Sequence, residues 1–416
     1  MFKIHNSFIY ISAFLPLLLI TGPFLPDLVV SFFFIYFLII TFKKKNFFYF
    51  NNKFFKTFFL FYLFIIISSL ISDNIFFSLK SSFFYIRIVI FSLFVWFLIE
   101  HNQNLLNITY YVLLICFSCL VIDGYIQYFF GYNVLGFPIS GNRLSSFFGD
   151  ELILGSYLSR FFPLLFALFL IVKKNKYDTI FIGILFILVD VMIYLSGERA
   201  SFFFLNLSTI FMIVFLKDYK KLRIFTFIIS LIAVFFLTLN IDRLKNRMVI
   251  APIKSMGLNN SGDKYIFTKK HDSHIKTAFK MFLDKPILGH GPKMFRVKCS
   301  DPKYAVGISP CSTHPHNFYV QLLAETGIIG FSFLFSAFCY VLYCAYRQLK
   351  SIVLKKKRYL TDYQVCLLAG ILITVWPFSP NGNFFNNWLA IVYSFPIGFY
   401  LQSIYSKKIR RYKKPA

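Results

Sequence analysis

The stretch STHPHNFYVQLLAETGIIGF, residues 312–331, places two histidines at the entrance to a long apolar run. Because Pro315 disfavours the helical conformation at the residue before it, we expect a helix to begin near His316 or Asn317. His316 would then lie at the end of a rigid element, where an imidazole with a pKa near neutrality can accept a proton from a reacting hydroxyl. His314 is a second candidate for contact with a substrate. A single loop histidine is commonly inert, and that alternative stays open for His316.

Polar side chains continue into the expected helix at intervals of four residues. Asn317, Gln321 and Glu325 therefore share one face, which we expect to look across a cavity outside the membrane and to contact a polar substrate. Gly327 and Gly330 follow, and their small size would let the next membrane span pack closely against a neighbour.

Two short segments carry arginine where it can approach a membrane surface. The segment SGERAS, residues 196–201, is so short a break between apolar runs that Glu198 and Arg199 must lie at the membrane face. Arginine suits bidentate recognition of phosphate, and the small residues around Arg199 leave room for a ligand. The alternative is a polar cap between two helices. Arg143, in SGNRLSSFFGDE at residues 140–151, is equally well explained as a phosphate ligand or as a solvated loop residue.

A third segment, residues 271–296, predicts an amphipathic helix that stops near Asp284 and is followed by a Gly-His-Gly turn. Its apolar stripe would consist of Ile275, Ala278, Phe279 and Phe282. Such a helix could cover a site or could simply lie on the bilayer interface. A metal site is a further alternative, although it lacks the Cys/His spacing of structural zinc and any His-Glu-x-x-His helix. Its ligands would come from His271, His274, His290, His314 and His316.

The elements that must position these residues are membrane helices. The chain has 416 residues, is 58% hydrophobic and 21% aromatic, and repeats apolar runs of about twenty residues between short polar breaks. We therefore predict an all-α polytopic membrane protein with about twelve spans. The first span shows no cleavage site and is expected to remain as an anchor. The predicted spans are residues 7–21, 24–42, 54–72, 83–100, 107–123, 152–172, 179–196, 200–216, 222–240, 326–346, 362–378 and 386–404.

Lys and Arg in short loops resist translocation, so they mark the cytoplasmic side of the membrane. With twelve spans, every strongly basic loop and both termini fall on that side. The other side, the periplasm of a bacterial inner membrane, receives several short loops and one large loop. The cytoplasmic cations are Lys43, Lys44, Lys45, Lys53, Lys56, Lys173, Lys174, Lys176, Lys217, Lys220, Lys221, Arg223, Lys355, Lys356, Lys357, Arg358, Lys407, Lys408, Arg410 and Arg411. The chain divides into spans 1–9 at residues 1–240, a periplasmic catalytic loop at 241–325, spans 10–12 at 326–404 and a basic tail at 405–416.

The formal net charge of +27 has two origins. Most of it lies on cytoplasmic loops that face anionic lipid. The large loop, however, holds fourteen Lys and Arg against five Asp, and long loops largely escape the rule that places cations inside. A basic external face indicates an anionic substrate. Nucleic acid is not an expected partner, because no nucleic-acid-binding motif accompanies the charge.

Two of the seven cysteines differ from the rest in their setting. Five lie in or beside apolar runs, where cysteine serves as a small packing residue. Cys299 and Cys311 instead bracket eleven residues of the large loop, where an oxidising compartment permits a disulfide. Such a bridge would fix the segment that leads to His314 and His316. The alternative is two independent thiols.

These segments together resemble the O-antigen ligase and polymerase superfamily of bacterial inner-membrane glycosyltransferases. The first matching motif is His316-Asn317, nine residues, then Gly327-x-x-Gly330, after a long loop. The SGERAS turn and the Arg143 segment match two further family features, and DKPILGHGPKMF is similar to the Pro-x-x-Gly-x-Gly segment of the family's large loop. The resemblance covers roughly residues 120–345.

The resemblance implies a GT-C-like fold and an inverting transfer of a glycan, without metal or cofactor, from undecaprenyl diphosphate to a hydroxyl acceptor at the periplasmic face. His316 would act as the base for the acceptor hydroxyl or would orient it. Arg199 would clamp the diphosphate leaving group, since developing charge in a partly dry site needs fixed cations aimed at it.

One segment departs from the family pattern. The family often has an arginine at the start of the amphipathic loop helix, where this chain reads HDSHIKT. His271 or His274 would fill that position, or Lys270 or Lys276 nearby would supply the charge.

Lipid A-core is the expected acceptor, because the length of the chain and its single large loop late in the sequence are typical of the ligases. A polymerase of O-antigen or capsule uses the same donor chemistry, and protein O-glycosylation is a third possibility. A flippase or exporter of lipid-linked glycans would place charge midway along several spans. Here only Asp190, Arg87 and Arg160 do so, and Asp190 could pair with a cation such as Arg199. An inert scaffold would leave the polar clusters unexplained.

Overall fold

The computed structural model describes residues 6–172, 175–258 and 264–406. Within these ranges the chain is helical, with two isolated bridges and no strand. The basic tail at 405–416 is described only as far as residue 406. Some of the cations predicted to face the cytoplasm lie outside the described residues: Lys173, Lys174, Lys407, Lys408, Arg410 and Arg411.

The α-helices, in chain order, are α1 (Asn6–Ala13), α2 (Leu15–Leu18), α3 (Phe24–Lys44), α4 (Lys53–Leu70), α5 (Ile75–Ser82), α6 (Ile86–His101), α7 (Asn104–Phe130), α8 (Leu154–Ile171), α9 (Lys176–Leu195), α10 (Arg199–Phe215), α11 (Lys220–Asn240), α12 (Asp242–Lys245), α13 (Ala251–Ser255), α14 (Lys269–Asp284), α15 (Phe295–Lys298), α16 (Phe318–Val353), α17 (Asp362–Thr374) and α18 (Asn387–Tyr405). Single 3-10 turns occur at Leu19–Thr21, Phe48–Phe50, Phe83–Tyr85 and Ser146–Phe148, and a π-helical turn at Asn246–Ile250.

Eight segments of the described chain are long and apolar enough to cross a membrane, which agrees with a polytopic α-helical protein. They are Phe24–Lys44, Lys53–Leu70, Ile75–His101, Asn104–Phe130, Leu154–Ile171, Lys176–Leu195, Lys220–Asn240 and Phe318–Val353. Helices α10 and α17 are apolar but have 17 and 13 residues, and α18, with 19 residues, is not among the eight. The predicted count of twelve therefore stays a prediction.

The first predicted span, residues 7–21, is not a single helix. It divides into α1, α2 and a 3-10 turn, and Pro16 lies in the first turn of α2. Proline has no N–H to donate to the helical ladder, which explains a break at this point. The broken segment is held on the bundle by Tyr157, whose hydroxyl donates to the Pro16 carbonyl at 2.8 Å, and by Trp388, whose Nε1 donates to the Leu19 carbonyl at 3.0 Å.

Phenylalanine occurs both inside and outside the helical bundle. Phe161 and Phe166 are fully buried, whereas Phe225 and Phe235 expose 64% and 59% of their surface. Large exposed aromatic side chains are stable on a helix that faces lipid. The outward-facing set thus fits a bilayer around the bundle.

The large loop folds over one end of the bundle with a small core of its own. Helices α14 and α15 pack with the first turns of α16 around Ala278, Met281, Phe295, Cys299, Tyr304 and Ala324. The apolar stripe predicted for α14 is right only for Ala278. The buried face consists of Ser273, His274, Thr277, Ala278 and Met281, and Phe279 is 49% exposed. The reason is local hydrogen bonding, because Thr277 Oγ1 accepts from the Val306 N–H at 3.1 Å and so turns the polar face inward.

Candidate functional site

Four histidines of the large loop meet at the end of α16. The ring centre of His316 lies 4.2 Å from that of His314, 4.9 Å from His271 and 5.3 Å from His274. His271 and His274 come from the first turns of α14, so this helix covers His316. We call these four residues the histidine cluster.

His316 is fixed by its backbone as well as by its ring. Its φ of 58° lies in the left-handed region, which is uncommon for residues other than glycine. The His316 carbonyl accepts a hydrogen bond from the Asn381 N–H at 2.8 Å, and its Nε2 lies 3.2 Å from Ser312 Oγ. Conformations of this kind persist only when surrounding contacts enforce them, and they concentrate at functional sites.

Asn317 completes the support. Its side-chain oxygen caps α16 by accepting from the N–H groups of Tyr319 and Val320, and its Nδ2 donates to the Pro377 carbonyl at 2.7 Å. The cap therefore fixes the direction in which His316 leaves the helix. Every polar group of this side chain has a protein partner, so Asn317 supports the position of His316, and its predicted contact with substrate stays a prediction.

Burial changes the protonation of the cluster. Burial lowers the pKa of His316 to about 3, and the other three histidines add to the effect. His314, whose Nε2 lies 3.2 Å from the Asn381 carbonyl, has its pKa lowered to about 4, again mainly by burial. Near neutral pH both rings are uncharged and are able to accept a proton.

Three arginines form a second cluster around the turn at residues 196–198. The Leu144 N–H donates to the Ser196 carbonyl at 3.4 Å, which brings the Arg143 loop against this turn. Arg247, from the π-helical turn of the large loop, donates from Nε to the Gly197 carbonyl at 3.2 Å. Arg199 is the first residue of α10. We call Arg143, Arg199 and Arg247 the arginine cluster.

Gly197 is the residue that lets two of these side chains approach. Its φ is +71°, and a Cβ built there would lie 3.3 Å from Arg143 Cγ and 3.5 Å from Arg247 Cγ. Gly197 therefore makes room for cations, and room for a ligand at this turn stays a prediction.

The arginine cluster carries more positive charge than its surroundings neutralise. Glu198 lies 3.8 Å from Arg143, but its carboxylate accepts from the N–H groups of Gly155 and Ser156 at 2.8 and 3.0 Å. Glu198 is thus the polar cap of α8, while Arg199 has no hydrogen bond or ion pair with the described residues. Three fixed cations that share one carboxylate form a site for an anion.

The two clusters lie within electrostatic reach of each other. Burial lowers the pKa of His271, and the charges of His274 and Arg199 add to that effect. Burial likewise lowers the pKa of Arg247, followed by the repulsion of Arg199 and Arg143. His271 Nδ1 is buried and has no hydrogen-bond partner among the described residues, so it is available to a ligand between the clusters.

Sequence reasoning missed Arg247 and did not assign Arg160. Arg247 is one of fourteen cations in a long basic loop, and no motif marks it. Arg160, on α8, is 8% exposed; it donates to Ser156 Oγ at 2.7 Å and lies over the Phe204 ring at 5.0 Å. A charge inside an apolar run was the available signal for Arg160.

Gln321 and Glu325 do not face an open cavity, contrary to our expectation. Both are fully buried. Glu325 accepts from the Phe295 N–H at 3.1 Å and from Gln321 Nε2 at 2.9 Å, and Gln321 Oε1 accepts from the Phe384 N–H at 2.9 Å. These side chains satisfy backbone groups of two loops that have no other partner there, and so they join the large loop to the segment before α18.

The glycine motif holds the large loop rather than a neighbouring span. Gly327, with φ 62°, interrupts α16, and a Cβ there would lie 2.3 Å from the Ile287 carbonyl oxygen. The Ile328 N–H donates to the backbone carbonyl of Pro286, and the Gly291 N–H donates to the backbone carbonyl of Glu325, both at 2.8 Å. The Pro-x-x-Gly-x-Gly segment therefore packs directly on the kink in α16.

Cys299 and Cys311 form a disulfide in the structure, with their Cα atoms 5.0 Å apart. Cys299 belongs to the small core of the loop, whereas Cys311 precedes the histidines of the motif. The bridge thus connects the folded part of the loop to the segment that carries His314 and His316.

Asp190 pairs with a cation, as suggested from the sequence, but the cation is Arg223 and not the candidate Arg199. Asp190 bonds to Arg223, whose NH1 and NH2 lie 2.7 and 3.0 Å from its carboxylate oxygens. Arg223 was assigned to a cytoplasmic loop but is fully buried at the start of α11, where Thr209 also accepts from it. The pair is internal to the bundle, and Arg199 forms no ion pair with any residue in the described ranges.

The described residues contain no group of three His, Cys, Asp or Glu side chains arranged to hold a metal ion. His290, one of the histidines considered for that role, lies apart from the cluster: its Nε2 is 3.0 Å from the Met281 carbonyl, and its ring packs on Tyr304.

Fold and site together define a polytopic α-helical membrane protein with a neutral histidine cluster within electrostatic reach of three arginines that share one carboxylate. Residues 182–335 match the family model described as O-Antigen ligase. The match includes the SGERAS turn, the large loop and the His-Asn to Gly-x-x-Gly motif, and it confirms the resemblance to the O-antigen ligase superfamily over those residues. No curated protein matches the chain.

Proposed function

We propose that the protein transfers a glycan from undecaprenyl diphosphate to a hydroxyl group of lipid A-core at the periplasmic face of the bacterial inner membrane. The observation that carries the proposal is that His316, a base that is neutral at pH 7, packs against His271, on which the charge of Arg199 acts. Arg199 itself has no ion pair with the described residues. Glycosyl transfer from a diphosphate needs both groups, because one bond forms at a hydroxyl while another breaks at an anionic leaving group.

In the proposed reaction the acceptor oxygen attacks the anomeric carbon as the bond from that carbon to the diphosphate oxygen breaks. The acceptor proton passes to His316 and the configuration at the anomeric carbon inverts. Undecaprenyl diphosphate leaves, and Arg143, Arg199 and Arg247 stabilise its negative charge. Arg247 supplies the cation that the family places at the start of the loop helix. His271 and His274 line the space between base and leaving group.

The low pKa of His316 makes it a weak base in the empty site. A bound diphosphate would bring negative charge beside the cluster, which raises the pKa of an imidazole. Base strength would thus increase when the donor is present.

Glycan transfer by the purified protein tests this proposal, with an undecaprenyl diphosphate-linked oligosaccharide as donor and a chelator present. Two acceptors are offered in parallel: lipid A-core and a second lipid-linked oligosaccharide. Product on lipid A-core supports a ligase, and a ladder on the carrier would replace it with a polymerase. Absence of both products from folded protein would refute glycosyl transfer to lipid acceptors.

A further inference from the structure

Helix α5 buries its polar face and exposes its apolar face, which is the reverse of the arrangement expected for a helix in water. On α5 the serines point inward: Ser69 Oγ lies 3.0 Å from Ser78 Oγ and 2.7 Å from Ser82 Oγ. Aromatic residues point outward: Phe76 on α5 is 90% exposed, and Phe83 in the 3-10 turn that follows is 57% exposed. An outer face of this composition is suited to acyl chains.

An open groove of about 680 Å³ runs along this face. It is lined by Phe76, Phe77, Leu79, Phe83, Phe84 and, as its charged member, Lys80. The apolar lining and the single cation match a lipid whose acyl chains lie beside an anionic headgroup.

Further cations reach the same region from the large loop. A Cβ at Gly291 would lie 2.7 Å from Ser72 Cβ and 2.8 Å from Ser78 Oγ, so the loop rests directly on the start of α5. Lys293 and Arg296 follow in the same segment. Burial lowers the pKa of Lys293; the charges of Arg296 and Lys80 add to this effect and that of Glu325 opposes it, so Lys293 lies within electrostatic reach of all three.

We call these three cations the basic patch. None of them forms a salt bridge within the described residues, and the carboxylate whose charge acts on Lys293 and Arg296 is that of Glu325, which is already held by the Phe295 N–H and by Gln321. Asp73, the nearby acidic residue, is already bonded to Lys285 at 3.1 Å and to Lys298. The basic patch also approaches the histidine cluster, since the charge of Arg296 adds to burial in lowering the pKa of His314. The arginine cluster acts on a different member, His271.

We propose that the groove on α5 and the basic patch form the acceptor site, and that they bind the phosphate and acyl chains of a phosphorylated, multiply acylated glycolipid. This inference rests on the proposed function. It assigns Lys80, Lys293 and Arg296 to acceptor recognition, separate from the arginines that hold the donor diphosphate. Binding there would direct the sugar of the acceptor toward His316.

The test is steady-state transfer in nanodiscs of zwitterionic phosphatidylcholine, with the concentration of lipid A-core varied at saturating donor. Replacing Lys80, Lys293 and Arg296 together with alanine should raise the KM for this acceptor at least about tenfold, because each lost charge-assisted contact weakens phosphate binding. The KM for the donor should stay within about twofold of wild type. Lys280→Ala, which removes an exposed cation from α14, is the matched control and should change neither constant.

Dephosphorylated lipid A-core provides the second arm. Wild type should lose affinity for it by a similar factor, whereas the triple variant should not distinguish the two acceptors, a result that general misfolding would not produce. Wild-type transfer with an unchanged acceptor KM in the triple variant would overturn the acceptor site while leaving the proposed function standing. Phosphate dependence seen only with a polyprenyl diphosphate acceptor would also overturn it. Absence of transfer by wild type would instead refute the proposed function.

Discussion

Arg247 reaches across from the large loop and donates a hydrogen bond to the carbonyl of Gly197, 3.2 Å away. This contact joins the loop to the turn that carries Arg199, although 50 residues of sequence separate the two partners. It brings a third arginine to the cluster, in a chain that has no arginine at the start of α14.

Arg247→Ala should lower kcat/KM for the donor by about ten- to hundredfold, because a charged hydrogen bond to phosphate contributes about 1.5–3 kcal/mol. Arg247→Lys should recover part of the loss, since the charge returns without the planar fork. Lys245→Ala removes an exposed cation two residues away and serves as the control. Equal rates for Arg247→Ala and Lys245→Ala would remove Arg247 from the site.

Gly197→Ala should inactivate the enzyme while leaving it in the membrane. The new Cβ would occupy left-handed backbone and lie 3.0 Å from the Asn142 carbonyl oxygen and 3.3 Å from Arg143 Cγ, so the segment that carries Arg143 must shift away from the turn. Gly136→Ala is the matched control, because Gly136 also has a positive φ, +85°, but has no atom within 4 Å of the added carbon. If both variants transferred glycan equally well, close approach of the arginines would not matter.

The pH dependence of kcat/KM should reflect the lowered pKa of His316. A base must be unprotonated to act, and a pKa of about 3 keeps the ring unprotonated well below pH 6.5. The acid limb due to this residue should therefore lie below pH 6.5 in a profile measured from pH 4.5 to 8. An acid limb with an apparent pKa at or above 6.5, absent from His316→Gln, would contradict the burial of this ring.

Glu325→Ala should reduce stability rather than substrate affinity. The substitution leaves the buried Phe295 N–H without its partner, at a cost of about 1–3 kcal/mol. We expect a lower thermal midpoint and an unchanged KM for donor and acceptor in the folded fraction. A large rise in either KM at unchanged thermal midpoint would return Glu325 to the substrate-binding set.

The sequence predicted the parts of the site that depend on local pattern. The start of α16 at Phe318 follows from Pro315 and from the capping side chain of Asn317, and the membrane helices follow from hydropathy. The position of Arg199 at the head of α10 follows from the shortness of the turn before it.

What the sequence could not predict depends on contacts between distant segments. Gln321 and Glu325 share one helix face as expected, but whether that face meets solvent or another loop is decided by residues 295 and 384. Arg223 reads as a loop cation because its partner, Asp190, is 33 residues away. Arg247 is similar: its role arises only when the large loop folds back on the turn.

The central claim is that the histidine and arginine clusters are one catalytic site, and the initial rate of glycan transfer by His316→Ala and Arg199→Ala tests it most directly. Both should lose at least about hundredfold in kcat, at wild-type protein level and membrane insertion, because one removes the base and the other a cation on the leaving group. Transfer close to the wild-type rate in either variant would contradict the role assigned to that residue. Transfer close to the wild-type rate in both variants would show that the two clusters are not the catalytic site.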